Sequence, residues 1–208
     1  MKINKKLLFI IFASVIGNII IYPFIPENIP HRNFQMEIDG YTGKWTMLLL
    51  PLTTVGMYFL LYFLGKLDKR NEMNKNTYEL ITILTVMFFI VLNIWIIFSS
   101  LGYEFDIIKI INLAMGVFYI VIGNYFPRVK MNSVFGVRII WTLRNAEVWK
   151  KTHRFGGYIF IGGGFFCLAA AFLNGFAGII ALLAVTLAIT IIICVYSYVT
   201  FIKIKDRV

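Results

Sequence analysis

The sequence predicts an all-α, polytopic membrane protein with six transmembrane helices and both termini on the cytoplasmic side. Three observations predict it. Hydrophobic residues make up 60% of the 208 residues and charged ones only 14%, with a mean hydropathy of +0.81; soluble domains hold roughly 45–50% apolar and ~25% charged residues. Six apolar runs approach the roughly 20 residues needed to cross a ~30 Å hydrocarbon core. The 20 Lys and Arg fall almost entirely into alternate loops, as the positive-inside rule requires of cytoplasmic segments.

The first run, Leu7 to Ile25, follows Lys5 and Lys6 and resembles a signal peptide. It leads into Tyr22-Pro23-Phe24-Ile25-Pro26 rather than a small-x-small cleavage site, so it is expected to stay as an uncleaved helix. The second, Trp45 to Leu64, carries Pro51 ahead of Gly56, which predicts a kink. Tyr78 to Leu101 and Ile107 to Phe126 follow, with Glu79 and Lys109 within a turn of an end and Asn18, Asn93, Asn112 and Asn124 as the polar residues inside spans. The fifth and sixth runs, Phe155 to Leu173 and Phe176 to Ile202, are joined by Asn174-Gly175, a reversal that predicts an antiparallel hairpin. Small residues let backbones approach in lipid. The glycines at 156, 157, 162, 163 and 164 are therefore expected at a helix contact, and Ala177, Ala181, Ala184 and Ala188 should form the packing face of span six. Cys167 and Cys194 lie inside spans and are expected to pack rather than pair.

Lys2, Lys5 and Lys6 precede span one; Lys66, Lys69, Arg70 and Lys75 separate spans two and three; Arg128, Lys130, Arg138, Arg144, Lys150, Lys151 and Arg154 separate spans four and five; Lys203, Lys205 and Arg207 follow span six. That places 17 of the 20 basic residues on one side and leaves Arg32, Lys44 and Lys109 on the other with Glu27, Glu37, Asp39, Glu104 and Asp106. The net charge of +10 thus reports orientation, and no direct nucleic-acid binding is expected.

Two loops carry chemistry. The external loop, residues 26–44, holds His31, Asn33, Glu37, Asp39 and Gly40. A lone His with two carboxylates is a weak ligand pattern, so no metal is expected. In the cytoplasmic loop, residues 127–154, Asn145 suits an N-cap, Glu147 can pair with Lys151, and Val148, Trp149 and Thr152 share a face. This predicts a short amphipathic helix lying on the inner membrane surface with Trp149 at headgroup level. His31 and His153 fall on opposite sides and no Gly-rich phosphate loop follows a strand, so neither an enzyme nor a cofactor is expected. A small transporter is the alternative, on account of the glycine-rich fifth span and Pro51.

Phe135-Gly136-Val137-Arg138, then Trp141-Thr142, then the unbroken run from Glu147 to Gly157 resemble the signature of the SdpI family of bacterial immunity proteins. Pro30-His31-Arg32-Asn33 running to Glu37-Ile38-Asp39-Gly40 resembles the small DUF1648-like domain often found at their N-terminus. The resemblance implies a DUF1648-like region over 1–75 and an SdpI-like region over 76–208. It further implies a bacterial cell-membrane protein that confers immunity against a secreted membrane-active peptide toxin, with sensing and capture of a winged-helix repressor as a second role. His31, Asn33, Glu37, Asp39 and Gly40 would then face the toxin. Gly136, Arg138, Trp141, Thr142, Arg144, Trp149, Lys150, Lys151, His153, Arg154, Gly156 and Gly157 would form the cytoplasmic partner surface.

Overall fold

The computed structural model describes residues 4–33, 37–67, 71–132 and 135–206; Lys2, Lys69, Arg70 and Arg207 of the charge pattern lie outside them. Helix α1 (Lys5–Ile21) is capped by Asn4, whose side chain accepts from the Leu7 amide at 3.1 Å. A 3-10 turn at Tyr22–Phe24 leads to strands β1 (Asn28–Arg32) and β2 (Ile38–Gly43). A second 3-10 turn, Lys44–Leu48, feeds α2 (Leu49–Leu67), followed by α3 (Asn71–Ser100) and α4 (Ile107–Tyr125). The short α5 (Ile140–Arg144), α6 (Ala146–Ala170) and α7 (Gly175–Lys205) complete the chain.

The molecule is a helical, multi-pass membrane protein, with four differences from the sequence reading. The first is an antiparallel β-hairpin in the external loop, with Asn28 opposite Gly43 and His31 opposite Gly40. Main-chain pairing here satisfies polar groups that no helix could accommodate around Pro26 and Pro30. Second, five helices among the described residues, and not six, are long and apolar enough to cross a membrane. The fifth sequence span belongs to α6, whose apolar part starts at Phe155 and is about 24 Å long, short of a ~30 Å core. Third, Pro51 falls in the first turn of α2, directly after the 3-10 turn, where a missing amide donor is tolerated, and not at a mid-span kink. Fourth, the amphipathic stretch is no separate surface helix, because α6 runs unbroken from Ala146 through Ala170.

The N-terminal helices pack through Leu7, Ile11, Tyr58, Val86 and Ile90. Within them the buried Asn18 and Asn93 exchange amide bonds of 2.8 and 3.3 Å, and Ser14 Oγ donates to Asn93 Oδ1 at 3.1 Å. Such bonds in lipid are worth about 0.6–2 kcal/mol each and they set the register of α1 against α3. Ile29 of the hairpin, with Ile25 and Met47 from the segments that flank it, packs against Ile96 and Ile97 near the end of α3.

The C-terminal helices α4, α6 and α7 depend on glycine. A Cβ placed on Gly123 would lie 2.7 Å from the Gly157 carbonyl oxygen, and one on Gly157 would lie 2.7 Å from that of Gly123. Gly116 and Gly164 repeat the arrangement at 2.9 and 2.7 Å. The two contacts are seven residues apart on each helix, 116 and 123 on α4 and 157 and 164 on α6, so antiparallel α4 and α6 meet backbone to backbone at two levels. The glycines at 156, 157, 163 and 164 thus pack closely, as the sequence suggests, whereas nothing lies within 4 Å of a Cβ on Gly162. The turn at Asn174-Gly175, with Gly175 at φ +50°, reverses the chain into an α6–α7 hairpin. Its α7 face is Gly178, Val185, Ile189 and Ile193 rather than the predicted alanines; Ala177, Ala184 and Ala188 are exposed. Both cysteines are free, and Cys167 is buried with Tyr119, Ile189 and Ile193.

Replacing Gly164 by alanine should therefore cost about 1–3 kcal/mol, as overpacking does, read as a lower unfolding midpoint in detergent. Gly162→Ala should leave the midpoint unchanged or raise it.

Candidate functional site

The residues of the cytoplasmic signature converge on one layer beneath the α4–α6 contact. After α4 the chain makes a 3-10 turn, Phe126–Arg128, and has no helix until Ile140, so the backbone groups of this loop need partners. Side chains supply them. The buried Asn132 donates to the carbonyls of Lys130 and Phe135, both at 2.9 Å, and accepts from the Phe135 amide at 2.7 Å. Thr142 Oγ donates to the Val137 carbonyl at 2.6 Å and accepts from the Ile139 amide at 3.1 Å. Trp149 Nε1 donates to the Val129 carbonyl at 2.8 Å. Asn145 Oδ1 caps α6, accepting from the amides of Glu147 and Val148 at 2.9 and 3.1 Å.

His153 is the centre of the layer. Its Nδ1 lies 2.8 Å from the Trp149 carbonyl and its Nε2 lies 3.1 Å from the Val137 amide nitrogen. A carbonyl can only accept and an amide N–H can only donate, so the ring is neutral with its proton on Nδ1. The ring stacks on Trp149 at 4.0 Å and lies 4.6 Å from the Phe126 ring. Burial pushes it down from 6.5 to about 4, opposed only in part by the bond to the Trp149 carbonyl. Gly136, at φ +115°, passes so close that a Cβ there would run into His153 Nε2. Gly156 fits against Phe126, and Gly157 against Gly123 and Pro127.

The twelve cytoplasmic candidates thus divide by position. Thr142, Trp149, His153, Gly156 and Gly157 are buried; Gly136 and Trp141 are half-buried. Trp141 ties α5 to α7, donating from Nε1 to Ser197 Oγ at 3.1 Å and packing against Tyr198 and Phe201. Trp149 is therefore inside the fold, not at the headgroups. Arg138, Arg144, Lys150, Lys151 and Arg154 form an exposed rim, with Lys151 paired to Glu147 at 2.6 Å. Sequence reasoning missed Asn132, although a short polar residue in an unstructured stretch soon after Pro127 is a turn signal.

On the external side the structure joins only part of the proposed group. His31 Nδ1 and Asp39 Oδ1 are 2.7 Å apart, while Glu37 bonds with Asn33 across the hairpin end, its amide donating to Asn33 Oδ1 at 3.0 Å. Gly40 faces His31 in the strand register. His31, Asn33 and Asp39 line a cavity of about 390 Å³ together with Trp95, Ser99, Tyr103, Phe105 and Asp106. Trp95 and Ser99 come from the last turns of α3 and Tyr103, Phe105 and Asp106 from the α3–α4 connection. All five were missed, although Asp106 before an apolar run is a cap signal; it accepts from the Ile108 amide at 2.9 Å.

Two outcomes follow for the cytoplasmic layer. Gly136→Ala should cost on the order of 1–3 kcal/mol, the range for a strained backbone position, and break the Val137–His153 bond; the unfolding midpoint in detergent reads it. Stability should also fall on acidification between pH 6.5 and about 4, where the unfolded chain binds a proton that the buried ring refuses. Above 6.5 both states are neutral at this residue and it contributes no slope. Unfolding midpoints of wild type and His153→Gln across that window should differ in slope, the variant being flatter.

Comparison with known proteins bears on the same residues. Residues 128–197 match the SdpI/YfhL protein family and residues 9–55 match DUF1648, a domain of unknown function. The chain is 29% identical over 199 residues, 95% of its own length and 95% of the relative's, to Immunity protein SdpI of Bacillus subtilis (strain 168). No solved structure matches it. The resemblance carried by Phe135 to Gly157 therefore stands: these residues lie within the segment of this membrane protein that matches the SdpI/YfhL family, and a segment that matches DUF1648 precedes it.

Proposed function

We propose that the chain is an immunity protein of a bacterial cytoplasmic membrane, protecting its host against a secreted membrane-active peptide toxin. The observation that carries this reading is similarity to an immunity protein along 95% of both chains, including the residues that build the cytoplasmic layer. In this reading the chain crosses the membrane six times with both termini inside. The external hairpin and its cavity meet the toxin, and the layer around His153 holds the cytoplasmic end together. α6 counts as the sixth crossing, its short apolar part extended by Arg154 and Lys150 reaching for the inner headgroups.

The exposed rim of Arg138, Arg144, Lys150, Lys151 and Arg154 favours a second role, the capture of a cytoplasmic repressor bearing an acidic surface. Charges on a rigid, fully bonded support steer association without an ordering cost. The transporter alternative is less favoured, because four of the five α6 glycines, at 156, 157, 163 and 164, are used in close packing against α4 and α7 and Pro51 sits in a first turn.

Expression in a toxin-sensitive bacterium should raise survival under challenge with a membrane-active peptide toxin, and Gly136→Ala should reduce that protection in proportion to the loss of folded protein. Unchanged killing across a panel of such toxins would count against immunity. For the second role, the double change Arg138→Glu and Arg144→Glu, which spares the two α6 residues that reach the headgroups, should leave protection intact while abolishing recovery of a membrane-bound repressor by cross-linking at this rim.

A further inference from the structure

The N-terminal and C-terminal helices face each other along α3 and α4, and this seam has no glycine pair to close it. Leu84, Phe88, Val91, Trp95 and Ser99 follow one another at i, i+4, i+7, i+11 and i+15 along α3, while Ile107, Ile110, Ala114 and Val117 form the facing stripe on α4. The inner part of these stripes borders a groove of about 410 Å³ whose lining is apolar throughout. The outer part, from Trp95 and Ile107, borders the external cavity with Asp39, Tyr103, Phe105 and Asp106. Below, the rings of Phe88 and Phe118 approach to 6.5 Å across the seam. The two spaces thus follow one another along the seam, the inner one apolar and the outer one carrying two carboxylates and three aromatic rings.

The geometry points to this α3–α4 seam as the docking track for the toxin, whose apolar helical segment lies in the groove while a cationic group, an N-terminal amine or a lysine, sits in the mouth near Asp39. This rests on the immunity reading and names where that reading takes its ligand. The argument for a cationic occupant is charge. The external face holds Glu27, Glu37, Asp39, Glu104 and Asp106 against Arg32, Lys44 and Lys109, and Lys44 is already paired with Glu27 at 2.5 Å. Asp106 is partly committed to capping α4. Among the described residues Asp39 pairs with His31 alone, and the faces of Trp95, Tyr103 and Phe105 attract cations. Val91 and Val117 are 38% and 54% exposed, so the groove is open from the side, and an amphiphile already dissolved in the outer leaflet reaches it without crossing water.

The test uses the full chain in lipid nanodiscs and, as probe, a synthetic leucine-alanine helix of about 20 residues, a length that spans the core, carrying a benzophenone beside its free N-terminal amine; a second copy is N-acetylated. Photo-cross-links mapped by mass spectrometry should fall on α3 and α4 between Val91 and Ile110, and acetylation should lower their yield by about fivefold or more, as expected for a partly desolvated charge contact. Val117→Trp should remove them by filling the groove; Val117 is exposed, so the variant adds a ring to the lipid-facing surface without entering the core. Asp39→Asn should match acetylation. Leu187→Trp, at an exposed position of α7, should leave the yield unchanged. Equal labelling of the α6–α7 face, or indifference to both Val117→Trp and Asp39→Asn, would overturn the seam. A toxin challenge run in parallel separates the two readings. A Val117→Trp chain that loses the cross-links yet protects fully removes the seam and leaves immunity standing. A wild-type chain that shows the cross-links but never protects keeps the seam as an amphiphile site and removes immunity.

Discussion

Backbone contact between α4 and α6 is the constraint on which the rest of the C-terminal structure depends. Lipid tails are as apolar as leucine, so two helices in a membrane gain little from burying aliphatic surface against each other. They gain from dispersion at short range, which rises only when the backbones come close. Gly116 against Gly164 and Gly123 against Gly157 provide that closeness at two levels, and two levels fix the axial register as well as the distance. A slip of one turn would set Ile161 and Leu168 in the places of Gly157 and Gly164 and drive a β-carbon into a carbonyl at both. Because the register is fixed, the turn of α6 that carries Trp149 and His153 is held against Phe126 and Val129 at the end of α4.

The cytoplasmic layer follows from that placement. The loop after Arg128 has no regular pairing to satisfy its amides and carbonyls, and it lies against an apolar bundle where unpaired groups are costly. Asn132, Thr142, Trp149 and His153 each bond to its backbone instead. Every member is needed in one particular chemical form: an amide for Asn132, a hydroxyl for Thr142 and, at His153, a neutral ring that both accepts and donates. Gly136 has no side chain because the imidazole occupies the space where one would be. The signature from Phe135 to Gly157 is thus intelligible as the parts list of one buried network, and the charged residues interspersed in it are those that this network leaves outside.

The sequence showed the apolar runs, the cap at Asn145 and the Glu147–Lys151 pair, the reversal at Asn174-Gly175 and the close packing of most α6 glycines, because each rests on local chemistry with a distinct pattern. What it hid depends on contrast. In α7 nearly every position is apolar, so the alanine stripe and the stripe of Gly178, Ile189 and Ile193 are equally regular and only the position of α6 and α4 decides between them. From Ala146 to Arg154 the alternation of polar and apolar residues is the same whether the apolar side meets lipid or protein. That ambiguity turned a buried Trp149 into a predicted headgroup anchor. The external hairpin was masked by two prolines and a run of charges, both of which suggest loop. The mouth of the cavity was invisible for another reason: His31 and Asp39 lie more than sixty residues from Tyr103 and Asp106, and no local rule connects them.

The two halves of the molecule are held differently, and the difference bears on how an external event could be felt inside. Within the N-terminal half the Asn18–Asn93 exchange locks α1 to α3; within the C-terminal half the glycine pairs lock α4 to α6. Between them lies the α3–α4 seam, with a groove where the glycine contact would be. Rigid parts joined by a loose boundary respond to a ligand by changing their separation, since the interiors of each part resist deformation. A ligand in that boundary acts only by its difference in affinity for the two separations, and a helix wedged in the groove has such a difference by its bulk alone. α4 spans the distance, from Asp106 at the external mouth to Phe126 under the His153 ring. The hydrogen bonds described for the layer around His153 join the loop after α4 to α5 and α6 and not to α3, so a shift of α4 against α3 would leave them intact and would cost the packing of Leu84 against that layer and the Thr77–Tyr125 bond.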